Sequence, residues 1–98
     1  MLFAVLFEDN DTCAAEVRKQ YMRAHLEFLE KNASMIRAAG PLRQNDTPAG
    51  GLWLVEADTP DAVDELVRND PFWPTGLRRS VRVLAWKQVY ADGARLGT

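Results

Sequence analysis

Leu2 to Phe7 are apolar without a break, and Glu8-Asp9 end the run after one strand's length. That run constrains the fold most. Successive side chains of a strand point to opposite faces. A strand with no polar alternation therefore needs cover on both faces. Leu52 to Ala57 repeats the demand, with Trp53 and Val55 on one side and Leu52 and Leu54 on the other. A chain of 98 residues makes one domain rather than two, and a domain of that size buries a limited core alone. With 47% apolar residues and three Trp, a partner subunit is expected.

The remaining elements follow from period and punctuation. Asp9-Asn10-Asp11 break the first strand, and Asp11 or Thr12 is suited to cap a helix. From about Thr12 to Asn32, Ala14, Val17, Tyr21, His25, Phe28 and Leu29 share one helical face. Glu16, Lys19, Arg23, Glu27 and Glu30 share the other. Met35 to Ala39 reads as a second strand stopped by Gly40-Pro41. Arg43 to Gly51 reads as a hairpin connection with a longer loop. Leu52 to Ala57 is the third strand. Thr59-Pro60-Asp61 opens a second helix, with a capping hydroxyl, a Pro in the first turn and an acid at the positive end. It ends near Asn69, before Asp70-Pro71-Phe72-Trp73-Pro74. Ser80 to Tyr90 is the last long strand.

The order βαββαβ predicts an α+β, ferredoxin-like fold: a four-stranded antiparallel sheet with two helices on one face. The chain reads as a single domain over 1–98, compact to about residue 90, with Ala91 to Thr98 as a tail without period. The helices cover one sheet face only. The other apolar face is expected to meet a second copy in a C₂ homodimer.

Composition narrows the function classes. The net charge is −2 and no Lys/Arg cluster is set among aromatics, so no nucleic-acid partner is expected. Arg78, Arg79 and Arg82 form the densest basic group and read as a solvated strand edge. Cys13 is the single cysteine; it cannot form an internal disulfide and has no activating motif around it. With one His and one Cys no dedicated metal site is expected, nor any cofactor. The apolar start lacks a basic segment and a small-residue cleavage site, so it reads as a strand and the expected location is the cytoplasm, with no membrane span.

His25 sits at the centre of the apolar stripe, four residues after Tyr21 and three before Phe28. Burying a titratable ring costs desolvation unless a partner satisfies it. Two readings stand at this point: a core imidazole bonded to a backbone carbonyl, or a general acid/base facing a pocket between helix and sheet. A working imidazole is commonly oriented by a carboxylate, for which Asp70 is the best candidate. Turn chemistry before Pro71 explains Asp70 without any catalysis, and on the pattern alone it is the favoured reading. Arg18, two turns before His25, is suited either to hold an anionic substrate group or to snorkel over the core. Gly40-Pro41 reads as a bend that brings backbone near a ligand, or as an ordinary turn. Phe72 and Trp73 are candidates to wall a pocket for a flat ligand, or to plug the end of the sheet layer or a dimer seam.

Taken together these residues resemble the YciI-like (YCII-related) family. The resemblance rests on Arg18 and Ala24-His25-Leu26 with Leu29; on Ala39-Gly40-Pro41-Leu42; on Gly51 opening a strand that ends in Glu56-Ala57; and on Asp70-Pro71-Phe72, Gly76-Leu77, Val83 and Trp86. It covers the chain to about Tyr90. Family members often carry Arg three residues before the His, where this chain has Met22, and Ser after the loop glycine, where it has Leu52. The resemblance implies a dimeric α+β barrel, and a His–Asp pair at His25 and Asp70 in an active-site cleft. Similar proteins are linked to aromatic degradation, including removal of HCl from chlorinated hydroxyhydroquinones. Barrels of this shape also serve isomerases, monooxygenases and binding domains, so fold does not settle function.

The expected function is a cofactor-independent lyase acting on a small aromatic or quinol-type substrate. His25 is the general base, Asp70 orients it, and Arg18, Gly40, Pro41, Phe72 and Trp73 bind substrate. The alternative is a binding or accessory dimer that uses the same pocket without chemistry.

Overall fold

The apolar run becomes the centre of the sheet. The computed structural model describes residues 1–10 and 14–97. In it β1 (Leu2–Asp9) pairs antiparallel with β3 (Thr47–Glu56) on one side and β4 (Arg78–Ala85) on the other. β2 (Ile36–Gln44) lies outside β3, so the order is β2-β3-β1-β4. α1 (Ala14–Lys31) links β1 to β2, and α2 (Pro60–Asn69) links β3 to the 3₁₀ turn Trp73–Thr75 and β4. This is the ferredoxin-like α+β fold.

The two faces of β1 part as the pleat requires. Phe3, Val5, Phe7 and Asp9 are buried, whereas Leu2, Ala4 and Leu6 are half-buried. Val5 stands opposite Trp53 on β3 and Val83 on β4. The inward set meets Trp53 and Val55 and is roofed by Val63, Leu66 and Val67 of α2, with Phe28 and Leu29 of α1 against the same cluster. Each large apolar side chain sealed there contributes about 1.5–3 kcal/mol relative to exposure. On the other face Leu52 and Leu54 are half-buried, and Leu42, Leu84 and Trp86 are exposed.

α2 starts where its cap chemistry places it. The Thr59 hydroxyl accepts from Ala62 N at 3.2 Å, and Pro60 takes the first turn. It ends at Asp70, which is extended (φ −66°, ψ 133°) because the residue before a proline avoids the helical region.

Three boundaries differ from the sequence reading. Gly40-Pro41 do not stop β2: the strand continues to Gln44, with Gly40 opposite Leu52 and Pro41 opposite Gly51. β2 is an edge strand, where a missing N–H costs no ladder bond. The connection to β3 is accordingly a two-residue turn at Asn45-Asp46, Asn45 being left-handed (φ 56°), and not a longer loop. The last long strand begins at Arg78 and ends at Ala85 instead of spanning 80–90. Beyond it, β5 (Tyr90–Ala91) and β6 (Ala94–Arg95) pair around Asp92-Gly93, both at positive φ. That Asp-Gly pair is a strong two-residue hairpin signal. The cap expected at Asp11 or Thr12 and the residue Cys13 lie outside the described residues. Among the described residues no helix is long and apolar enough to cross a membrane.

Candidate active site

His25 is buried where α1 crosses the Trp53 side of the sheet, its ring centroid 6.2 Å from that of Trp53. Its Nδ1 lies 2.8 Å from Oδ1 of Asp70, 45 residues away. Both side chains are nearly sealed, at 9% and 3% exposure. Asp70 is held from below by the end of α2: its backbone N–H donates to Val67 O, and its Oδ1 also accepts from Phe72 N at 3.2 Å. The same atom thus serves as turn acceptor and as partner of the imidazole. A carboxylate only accepts, which assigns a proton to Nδ1; in the neutral ring the lone pair is then on Nε2. Phe72 stacks on the ring at 4.3 Å and fixes its plane.

A cavity of about 100 Å³ meets this imidazole. Met22, Leu29 and Trp53 supply apolar walls, and Ala39, Gly40, Pro41 and Leu26 form an exposed rim. Arg18 and Arg78 line its polar end. The enclosed space is smaller than the roughly 150 Å³ cavity that holds benzene, but it opens at its rim, so a ring enters only part-way into it.

The polar end is built around Asp9. Its Oδ2 accepts from Arg18 Nη2 at 2.6 Å and its Oδ1 from Arg78 Nη1 at 3.1 Å. Arg18 also donates to Gly50 O at 3.3 Å. Burial pushes the Arg78 guanidinium down from its ordinary value, against the pull of Asp9. Its central carbon stands 4.2 Å from the Phe7 ring centroid, a cation–π contact. Two glycines let the chains come this close. A Cβ on Gly51 would meet Arg78 Nη1 at 3.2 Å, and one on Gly50 (φ 149°) would sit 1.8 Å from Phe7 O.

The structure brings His25, Arg18, Gly40 and Pro41 to one cavity, with Asp70 bonded to the imidazole outside its lining. It places Phe72 and Trp73 elsewhere. Phe72 is fully buried behind the imidazole rather than in the cavity wall. Trp73 packs against the core, with the Arg68 guanidinium 5.5 Å from its ring centroid. Both positions follow from the turn at Asp70, which directs the next residues inward. Arg78 is likewise no solvated edge residue, its side chain being 4% exposed, although Arg79 and Arg82 are exposed.

Sequence reasoning missed Asp9, Met22, Trp53, Gly51 and Arg78 as parts of the site. Two signals were present. Asp9 continues the inward alternation Phe3, Val5, Phe7, and the strand pairing sets it opposite Arg78. Met22 and Leu29 lie three before and four after His25 on the helix, the spacing of one face. Among the described residues no three His, Cys, Asp or Glu side chains gather into a metal-holding group.

No curated protein matches the chain. One similar solved structure is 5-chloro-2-hydroxyhydroquinone dehydrochlorinase (TftG) from Burkholderia phenoliruptrix AC1100, in complex with 2,5-dihydroxybenzoquinone. It is 31% identical and aligns with a TM-score of 0.77 over 89% of this chain and 94% of that one. The family model of the YCII-related domain matches residues 1–87, from the first strand past the last strand of the sheet. By fold and by that match, the chain belongs to the YCII-related family.

Proposed function

We propose that the protein is a cofactor-independent lyase that eliminates HCl from a small chlorinated hydroxyhydroquinone. The observation that carries this reading is the buried His25–Asp70 pair beside a cavity, with Nε2 having no hydrogen-bond partner among the described residues. The likeness to a dehydrochlorinase supports the substrate class.

The chemistry needs only proton movement. Nε2 takes a proton from a phenolic hydroxyl, and Asp70 steadies the resulting imidazolium. The proton is delivered to the ring carbon that bears chlorine. A second phenolic oxygen then loses its proton, and its electron pair passes through the ring to expel chloride. The products are a hydroxybenzoquinone and HCl, and the ring's own electrons supply the redox balance. A positioned base contributes about 10²–10⁴-fold, which suits a ring already activated by several hydroxyls. Arg18 holds a substrate oxygen, and Gly40-Pro41 close the rim.

A second copy is proposed to cover the open sheet face through Leu42, Leu54, Leu84 and Trp86, giving a homodimer. The deciding experiment is chloride release from 5-chloro-2-hydroxyhydroquinone by wild type and His25→Gln. Loss of turnover with retained ligand binding is expected. Undiminished turnover in the variant would refute the reading, and binding by wild type without chloride release would replace it with a binding module.

A further inference from the structure

Arg78 carries an unused set of donors. A guanidinium offers five N–H donors in a fixed planar fork. Among the described residues only Nη1 finds an acceptor, in Asp9. Nε is the one buried side-chain nitrogen or oxygen among them without a partner. Nη2 bonds to nothing among them either and, unlike Nε, is not fully buried, and Arg78 as a residue lines the cavity. The unfilled donors therefore lie on one edge, the Nε–Nη2 edge that binds planar oxyanions side-on.

An orphaned donor this deeply buried costs free energy that a bound acceptor would recover. The surroundings favour an anionic acceptor. Arg18 and Arg78 share one contacting carboxylate, Asp9, and the next acid, Asp70, is committed to His25 and Phe72 N. Both guanidinium carbons and the imidazole are arranged about one ring, that of Phe72. Arg18 lies 5.9 Å, Arg78 5.5 Å and the His25 centroid 4.3 Å from its centre. An oxygen that gives its proton to Nε2 thus develops its charge in a cavity that Arg78 also lines.

We propose that Arg78 is the oxyanion-recognising residue of the cavity, and that its Nε–Nη2 edge selects the phenolate form of a small planar ligand over its neutral form. The inference rests on reading the His25 cavity as the substrate site. It adds the residue that makes that site prefer an anion.

The test uses 4-nitrophenol and its neutral analogue 4-nitroanisole as probes, with wild type, Arg78→Met, Arg78→Lys and His25→Gln. Binding is read by tryptophan fluorescence, and ionisation of bound nitrophenol by its phenolate absorbance. Wild type is expected to bind the phenolate roughly ten- to hundred-fold more tightly than the anisole. Arg78→Met loses that preference, Arg78→Lys regains part of it, and bound nitrophenol ionises at higher pH in Arg78→Met than in wild type. Because Arg78→Met also removes a buried ion pair, a wild-type measurement stands beside it: the ¹⁵N resonance of Arg78 Nε–H shifts with nitrophenolate and not with nitroanisole. Equal affinity of wild type for the two probes, or an unmoved Nε–H resonance at saturation, overturns the proposal. His25→Gln separates the two readings. It keeps the phenolate preference if Arg78 carries it, and chloride release by this variant at the wild-type rate would refute the catalytic role of His25 while leaving the Arg78 assignment standing.

Discussion

Replacing Asp70 in two ways separates its structural work from its chemical work. Asp70→Ala removes the Oδ1 acceptor shared by His25 Nδ1 and Phe72 N. His25 is 7% exposed and Phe72 0%, so water reaches neither donor freely. Each buried donor left unsatisfied costs about 1–3 kcal/mol, giving roughly 2–6 kcal/mol in all. Against a typical 5–15 kcal/mol of total stability, that is a large fraction. Asp70→Asn keeps Oδ1 and both hydrogen bonds. Its amide nitrogen replaces Oδ2, which bonds to nothing among the described residues, so one unsatisfied amide donor is added in place of the two created by alanine, and about 1–3 kcal/mol should be lost. The amide is neutral, however, and stabilises an imidazolium far less than a carboxylate does. Turnover should fall by about 10²–10⁴-fold in a protein that remains folded. Urea unfolding followed by tryptophan fluorescence reads the first quantity, and chloride release from 5-chloro-2-hydroxyhydroquinone reads the second. Asp70→Asn as unstable as Asp70→Ala would mean that charge, not hydrogen bonding, holds the pair. Asp70→Asn with wild-type turnover would refute the acid/base role.

Other perturbations test the frame around the site. Gly50→Ala would place a methyl 1.8 Å from Phe7 O at φ 149°, and it should cost at least about 3 kcal/mol in a thermal melt; Gly40→Ala, whose Cβ meets nothing within 4 Å, should stay within about 0.5 kcal/mol. Leu84→Glu on the open sheet face should convert a sedimenting dimer to monomer, and a wild-type monomer at micromolar concentration would sink the dimer proposal. The Ser80 hydroxyl and then Arg79 hold the exposed Glu8 carboxyl below its ordinary 4.5. A depressed carboxylate contributes its stability above the unfolded value and loses it as pH falls through the lowered one. Wild type should therefore lose more stability than Glu8→Gln on acidification below about pH 4.5, and parallel curves would show the pair to be inert.

The sequence made the element order legible because strand and helix periods are local properties. Thr59-Pro60 fixed the start of α2, and Asp70-Pro71 fixed its end, by backbone chemistry that needs no tertiary partner. Gly40-Pro41 misled for the opposite reason. Their tolerance inside β2 depends on that strand being an edge, which is a property of the assembled sheet. Arg78 was misjudged in the same way. Three arginines over five positions look like a solvated stretch, and only the pairing of β4 with β1 sets one of them beside Asp9. Phe72 and Trp73 were assigned to a pocket on chemical type alone, while the turn at Asp70 determines that they face the core.

His25 owes its position to the same apolar stripe that packs α1, and this joins the site to the core. The imidazole is stacked on Phe72 and lies near Trp53, both among the most buried side chains of the protein. Close packing leaves the ring little freedom, so Nε2 is aimed before any ligand arrives. The cost is that a buried polar pair must stay satisfied, and the hydrogen bond to Asp70 does so from a residue already needed to end α2. Ring orientation and helix termination thus share one carboxylate. A substitution that retains Oδ1 should then spare the fold and remove the chemistry, whereas one that deletes it should damage both.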